Sequence, residues 1–114
     1  AGEGGHVEAQ YELGLLLGET DEAGAALSWM LRAAEQGLAE AQFAAALSLG
    51  FGRGTAANAS AAAVWYRRAA DQGLASAQYN LAVALEAGLG VPANTTEAEI
   101  WFQRAAVGGV SRPE

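Results

Sequence analysis

Trp65-Tyr66-Arg67-Arg68-Ala69-Ala70-Asp71-Gln72-Gly73 decides the fold, because the chain writes it three times. It stands upstream as Trp29-Met30-Leu31-Arg32-Ala33-Ala34-Glu35-Gln36-Gly37 and downstream as Trp101-Phe102-Gln103-Arg104-Ala105-Ala106-Val107-Gly108-Gly109, 36 residues away in each direction. A second block keeps the same step from Ala41-Gln42-Phe43 to Ala77-Gln78-Tyr79. Its first copy, Ala9-Gln10-Tyr11, lies only 32 residues upstream, so the first unit lacks four residues of the loop written Phe51-Gly52-Arg53-Gly54 in the second. Self-similarity at such a period marks stacked supersecondary units.

Working outward, each unit divides into two helices. Helix A is expected over 7–18, 39–49 and 75–87, and helix B over 21–36, 59–72 and 95–107. Asn58 and Asn94 share one repeat position ahead of helix B, where a side-chain oxygen can cap orphan backbone N–H groups. Glu97, three residues after Asn94, completes a capping-box pattern, and Thr20 or Asp21 would cap the first unit. Gly37, Gly73 and Gly109 follow helix B, each with an apolar residue behind it (Leu38, Leu74, Val110), as a Schellman stop requires. The expectation is an all-α chain forming one repeat domain over 1–114. Its three helix-turn-helix units occupy about 6–37, 38–73 and 74–109, and residues 1–5 resemble the end of a preceding helix B.

Composition agrees. Of 114 residues 52% are hydrophobic and about a quarter are Ala, which loses no rotamer entropy in a helix. A lone hairpin cannot bury its apolar face, but stacked neighbours can. Small residues at Ala33, Ala69 and Ala105 let backbones approach, and Trp29, Trp65 and Trp101 fill the gaps between them. Trp65→Ala in the central unit is expected to cost about 3–5 kcal/mol. The net charge is -7 with no Lys, which disfavours nucleic acid and anionic membranes as partners. No apolar run is long enough for membrane insertion. Absence of Cys removes disulfides, thiolate metal sites and thiol nucleophiles, and no cofactor or metal is expected.

The pattern A-x-A-Q-aromatic, a small-residue helix, G-x-G, Asn, then W-aromatic-x-R-A-A-x-Q-G resembles the Sel-one-like repeat, a branch of the tetratricopeptide-like α-solenoids. The third unit carries it most fully, in Ala77-Gln78-Tyr79-Asn80-Leu81-Ala82, Gly88-Leu89-Gly90-Val91-Pro92 and Trp101 to Ala106. Departures are the short first loop and Gly108 in place of Gln. The resemblance implies a right-handed α-solenoid acting as an adaptor or scaffold, with protein partners bound on a concave side lined by helix A. It also implies a bacterial protein, as does the Ala-rich, Arg-without-Lys composition. Many bacterial members work in the periplasm or envelope, but the chain carries no address. Members with a Cys pair in every repeat have been linked to β-lactam binding, and this Cys-free chain does not share that feature.

Several motifs have plainer readings. Gly50-Phe51-Gly52-Arg53-Gly54 and Gly88-Leu89-Gly90 lack the preceding strand of a phosphate loop and read as turns between helices. Asn58-Ala59-Ser60 and Asn94-Thr95-Thr96 match a glycosylation acceptor, but capping uses the same side chains and explains their recurrence. Arg32, Arg68 and Arg104 form a ladder that reads as structural, with Glu35 and Asp71 three residues on for helical ion pairs. His6 is the only His, so no Ser-His-Asp set can be built without it. The acids of 19–22 lack calcium-loop spacing and suit a helix N-terminus. The chain is read as non-enzymatic.

Recurrence marks structure, so variation marks freedom. One helix A stripe varies, reading Glu8, Glu12, Leu16, then Glu40, Ala44, Ser48, then Ser76, Asn80, Ala84. Gln10, Gln42 and Gln78 lie beside it, with amides suited to a peptide backbone. Residues 1–40 carry a charge of -7, residues 41–80 carry +2 and residues 81–114 carry -2. A partner segment with a basic end followed by small or apolar residues would suit such a surface. The alternative role for these acids is solubility. A structural spacer or packing segment within a longer multi-repeat protein is the second functional reading. The last helix B offers Ile100 and Phe102 with nothing after it, so end-to-end self-association is also expected.

Overall fold

The computed structural model describes residues 3–18 and 23–111, with side chains described for 7–13, 15 and from 23 onward. The capping residues Thr20 and Asp21, the acids of 19–22 and the side chains of His6 and Leu16 lie outside the described residues. Six α-helices follow one another, with no strand among the described residues: α1 (Glu3–Gly18), α2 (Ala23–Glu35), α3 (Ala39–Phe51), α4 (Ala59–Asp71), α5 (Ala75–Ala87) and α6 (Thr95–Val107). Each helix packs against the next in chain order, most extensively within the hairpins α1–α2, α3–α4 and α5–α6. The result is a helical solenoid measuring 39 × 32 × 23 Å. α1 begins at Glu3, ahead of the expected start at residue 7. The sequence there reads Gly4-Gly5-His6 in place of Gln36-Gly37-Leu38, without the apolar residue that follows the glycine of a Schellman stop.

The stops after helix B are Schellman turns. The Leu38 N–H donates to the Ala33 carbonyl (3.3 Å), Leu74 to Ala69 (3.3 Å) and Val110 to Ala105 (2.9 Å). Gly37, Gly73 and Gly109 take φ of 100°, 95° and 99° in these turns. Asn58 and Asn94 cap α4 and α6, accepting from the Ala61 N–H (3.1 Å) and the Glu97 N–H (3.0 Å). The reciprocal half of the capping box is absent. The Asn94 N–H already donates to the Leu85 carbonyl (2.8 Å), and the Glu97 carboxylate turns elsewhere.

The G-x-G turns hold successive units together. Gly54 and Gly90 have φ of 82° and 74°, and a Cβ there would lie 2.4 Å from the Ala23 carbonyl oxygen and 2.3 Å from that of Ala59. Each turn thus rests its backbone on the start of the preceding unit's helix B, an approach open only to glycine.

Apolar contact fills the rest. The largest cluster joins α4, α5 and α6 through Ala69, Ala77, Leu81, Leu85, Trp101 and Phe102. Trp101 is buried, whereas Trp29 and Trp65 are half-buried. Phe102 is also buried, packing edge-on against Tyr79 at 5.5 Å instead of standing at an open end. Ile100 remains exposed, as does Val107.

Candidate partner-binding surface

The sequence-predicted stripe splits into three environments. Glu8 and Glu12 of α1 and Glu40 of α3 are exposed and converge on one concavity of about 340 Å³ with Tyr11, Leu15 and Leu38. Burial pushes the Tyr11 phenol above its usual value, and the Glu40 carboxylate adds to the shift. The concavity therefore carries negative potential beside apolar surface. No group of three or more His, Asp or Glu capable of holding a metal ion occurs among the described residues.

The other two second-unit positions, Ala44 and Ser48, are half-buried. Ala44 packs against the cluster of Ala26, Leu27, Met30 and Ala45, and the Ser48 hydroxyl meets the Met30 sulfur at 3.9 Å. These residues pack against α2, the preceding helix B. In the third unit Ser76 and Asn80 are half-buried and Ala84 is buried. Asn80 and Ala84 do line an open groove of about 310 Å³ between α4 and α5. Tyr66 closes one side of it, and burial raises the Tyr66 phenol.

The three glutamines do not offer amides to a peptide. Gln10, Gln42 and Gln78 are buried. Gln42 Nε2 donates to the Ala34 carbonyl (3.1 Å), and Gln78 Nε2 to that of Ala70 (3.2 Å), tying each helix A to the helix B before it. Gln36 Nε2 donates to Gln10 Oε1 (2.7 Å), and Gln72 Nε2 to Gln42 Oε1 (2.9 Å). The correction has a simple cause: a buried amide must find partners, and the recurring Gln after helix B supplies one.

The arginine ladder is structural in a different way from the expected ion pairs. Arg32, Arg68 and Arg104 lie over the rings of Trp29, Trp65 and Trp101 at 4.8, 4.7 and 4.7 Å. The ring three residues earlier holds each guanidinium by cation–π attraction. The ion pair found among the described residues joins Arg67 to Glu97 at 2.9 Å, from α4 to α6. The Trp101 indole N–H donates to the same carboxylate oxygen (3.1 Å), and these two partners lower the Glu97 pKa. Sequence pattern did not reveal this pair, since neither charge recurs in the other units.

Comparison with known proteins fits this architecture. The Sel1 repeat family model matches residues 7–38, 39–74 and 75–109. A Sel1 repeat protein from Oxalobacter formigenes superposes with a TM-score of 0.87 at 38% identity, over 90% of this chain and 44% of that one. A protein described as c5321, a protective antigen present in uropathogenic Escherichia coli strains and displaying an SLR fold, gives 0.89 at 30% identity, over 93% of this chain and 24% of that one. The chain thus spans less than half the length of either. Helicobacter pylori cysteine rich protein B shares the fold, with a TM-score of 0.73 at 15% identity over 96% of this chain and 93% of that one. Among curated proteins no significant match is found. With three matches covering almost every helix described above, the chain belongs to the Sel1 repeat family.

Proposed function

We propose that the chain is a non-enzymatic adaptor module that binds a protein segment across helix A, with the segment's basic end at the concavity of Glu8, Glu12 and Glu40. The observation that carries this reading is the convergence of those three carboxylates from two helices around Tyr11, Leu15 and Leu38. Sel1 repeat proteins are generally protein-interaction scaffolds, which supports the class. No described helix is long and apolar enough to cross a membrane. The +2 balance of residues 41–80 suits a segment whose later residues are uncharged.

Binding of fluorescent peptides with two arginines followed by leucine and alanine tests this. Affinity is expected to weaken with added salt and to fall about tenfold or more in Glu8→Gln/Glu12→Gln/Glu40→Gln, the size of change that loss of a few charge contacts produces. Equal binding by the neutralised variant would overturn the placement. A structural role inside a longer protein is the second reading, supported by exposed Leu13, Leu15 and Val107, which can serve as packing surface. End-to-end association through these residues would appear as concentration-dependent mass in sedimentation.

A further inference from the structure

The two junctions between successive units differ at several positions, and at one of them helix B exchanges a leucine for an alanine. At the first, Leu27 of α2 is 6% exposed and packs with Met30 beneath Ala44. At the second, the same repeat position is Ala63, and the groove of about 310 Å³ opens there instead. Asn80 and Ala84 stand across it where Ala44 and Ser48 stand at the first junction.

We propose that this groove receives a leucine-type side chain from the bound protein segment. The first junction supplies the template, because the repeat itself places Leu27 at the position that Ala63 leaves short. The groove continues an established interface: Tyr66 and Val83, which line it, also pack against the main core cluster. An inserted aliphatic side chain would extend that core. No charged residue lines the groove, so a charged side chain would lose its hydration there without a partner. At the mouth Phe51 is 75% exposed and Leu89 53% exposed, apolar area that a docked segment would cover. The Asn80 amide donates to the Ser76 carbonyl (2.8 Å), which leaves its own carbonyl oxygen to accept a backbone N–H of that segment. The volume lies at the small end for ligand sites and leaves ample room for an aliphatic side chain.

This inference rests on the adaptor reading for the source of the side chain, while the pocket itself is tested without any partner. The probe is N-acetyl-leucine-N-methylamide at millimolar concentration, followed by amide chemical shifts and by nuclear Overhauser contacts in the wild-type protein. Shifts are expected at 59–63 and 80–84, with contacts from the leucine methyls to the Tyr66 ring and Val83. The glutamate analogue is expected to give neither. Ala63→Leu, which fills the groove as Leu27 does, is expected to raise the Tm and to weaken leucine binding at least tenfold. No shifts with the leucine probe, equal shifts with the glutamate probe, a lowered Tm in Ala63→Leu, or undiminished binding by it would each overturn the proposal. Peptide binding at the acidic concavity with no response to the leucine probe would sink this inference and leave the adaptor reading standing.

Discussion

At the junction of the first two units α2 turns Leu27, Met30 and Leu31 toward α3, and they form a cluster with Ala44, Ala45 and Leu49. Thirty-six residues on, the same positions of α4 hold Ala63, Tyr66 and Arg67. Ala63 leaves the groove open, Tyr66 tilts onto Phe43 at 6.0 Å and Arg67 reaches Glu97. Across the junction Ala45 is exchanged for Leu81, so the aliphatic anchor passes from helix B to helix A. The Gly turns, the Gln ties and the Trp–Arg stacks are kept on both sides. One repeat backbone thus supports two kinds of junction, one closed by aliphatic packing and one open at its outer edge. Side chains that set the spacing recur, and side chains that fill it are free to specialise.

The largest effect separating the junctions is expected from their aliphatic anchors. Leu81→Ala, at a fully buried site, should cost about 3–5 kcal/mol, and Leu27→Ala, at 6% exposure near the surface, about 2–3 kcal/mol. Urea melts of both variants check the order. A reversed order would mean that the aliphatic anchor of the second junction does not sit on helix A.

The glycine turns should behave alike. Gly54→Ala and Gly90→Ala each force a side chain into left-handed backbone and against the start of the neighbouring helix B. Each should cost about 1–3 kcal/mol in the same melts. Unequal costs would show that one junction can open to admit a Cβ and the other cannot, which would make backbone spacing part of their difference.

Much of this was legible because it is local. A cap needs Asn58 or Asn94 and the next turn of its own helix, and a stop needs Gly37 with Leu38, so sequence recurrence reads both directly. The helix A stripe was harder. Variation at Ala44 and Asn80 looked like freedom at a surface, yet it is partly matched to Leu27 and Ala63 across a junction. Position along one helix does not show which helix lies opposite. The glutamines carried the needed signal in their recurrence, the same rule that marked the Trp and Gly positions as structural. Gln36 and Gln72 recur with Gln10 and Gln42 because each pair closes a hydrogen bond. The acidic residues were legible as composition, but the meeting of Glu40 with Glu8 and Glu12 needed the fold.

The smallest effect tests the polar end of the second junction. Arg67 and Glu97 stand where Leu31 and Ala61 stand at the first. Both are partly exposed, with side chains 42% and 32% accessible, so solvent screening keeps the pair to about 0.5–1 kcal/mol at neutral pH. The Glu97 pKa is lowered from its usual 4.5 by the Arg67 and Trp101 hydrogen bonds. Its ionised form is therefore favoured by folding. That stability is present above pH 4.5 and is lost as the pH falls through the lowered value, below which the carboxyl is protonated in both states. Glu97→Gln should be less stable than wild type at pH 7, and the difference should shrink on acidification and in high salt. The Trp101 indole N–H resonance should move with pH below 4.5 in the wild type and stay fixed in the variant, because its acceptor no longer titrates. An indole resonance unmoved in the wild type would mean that the carboxylate does not hold Trp101. The second junction would then rest, like the first, on packing and its glutamine tie, with no contribution from the Glu97 carboxylate to the seating of Trp101.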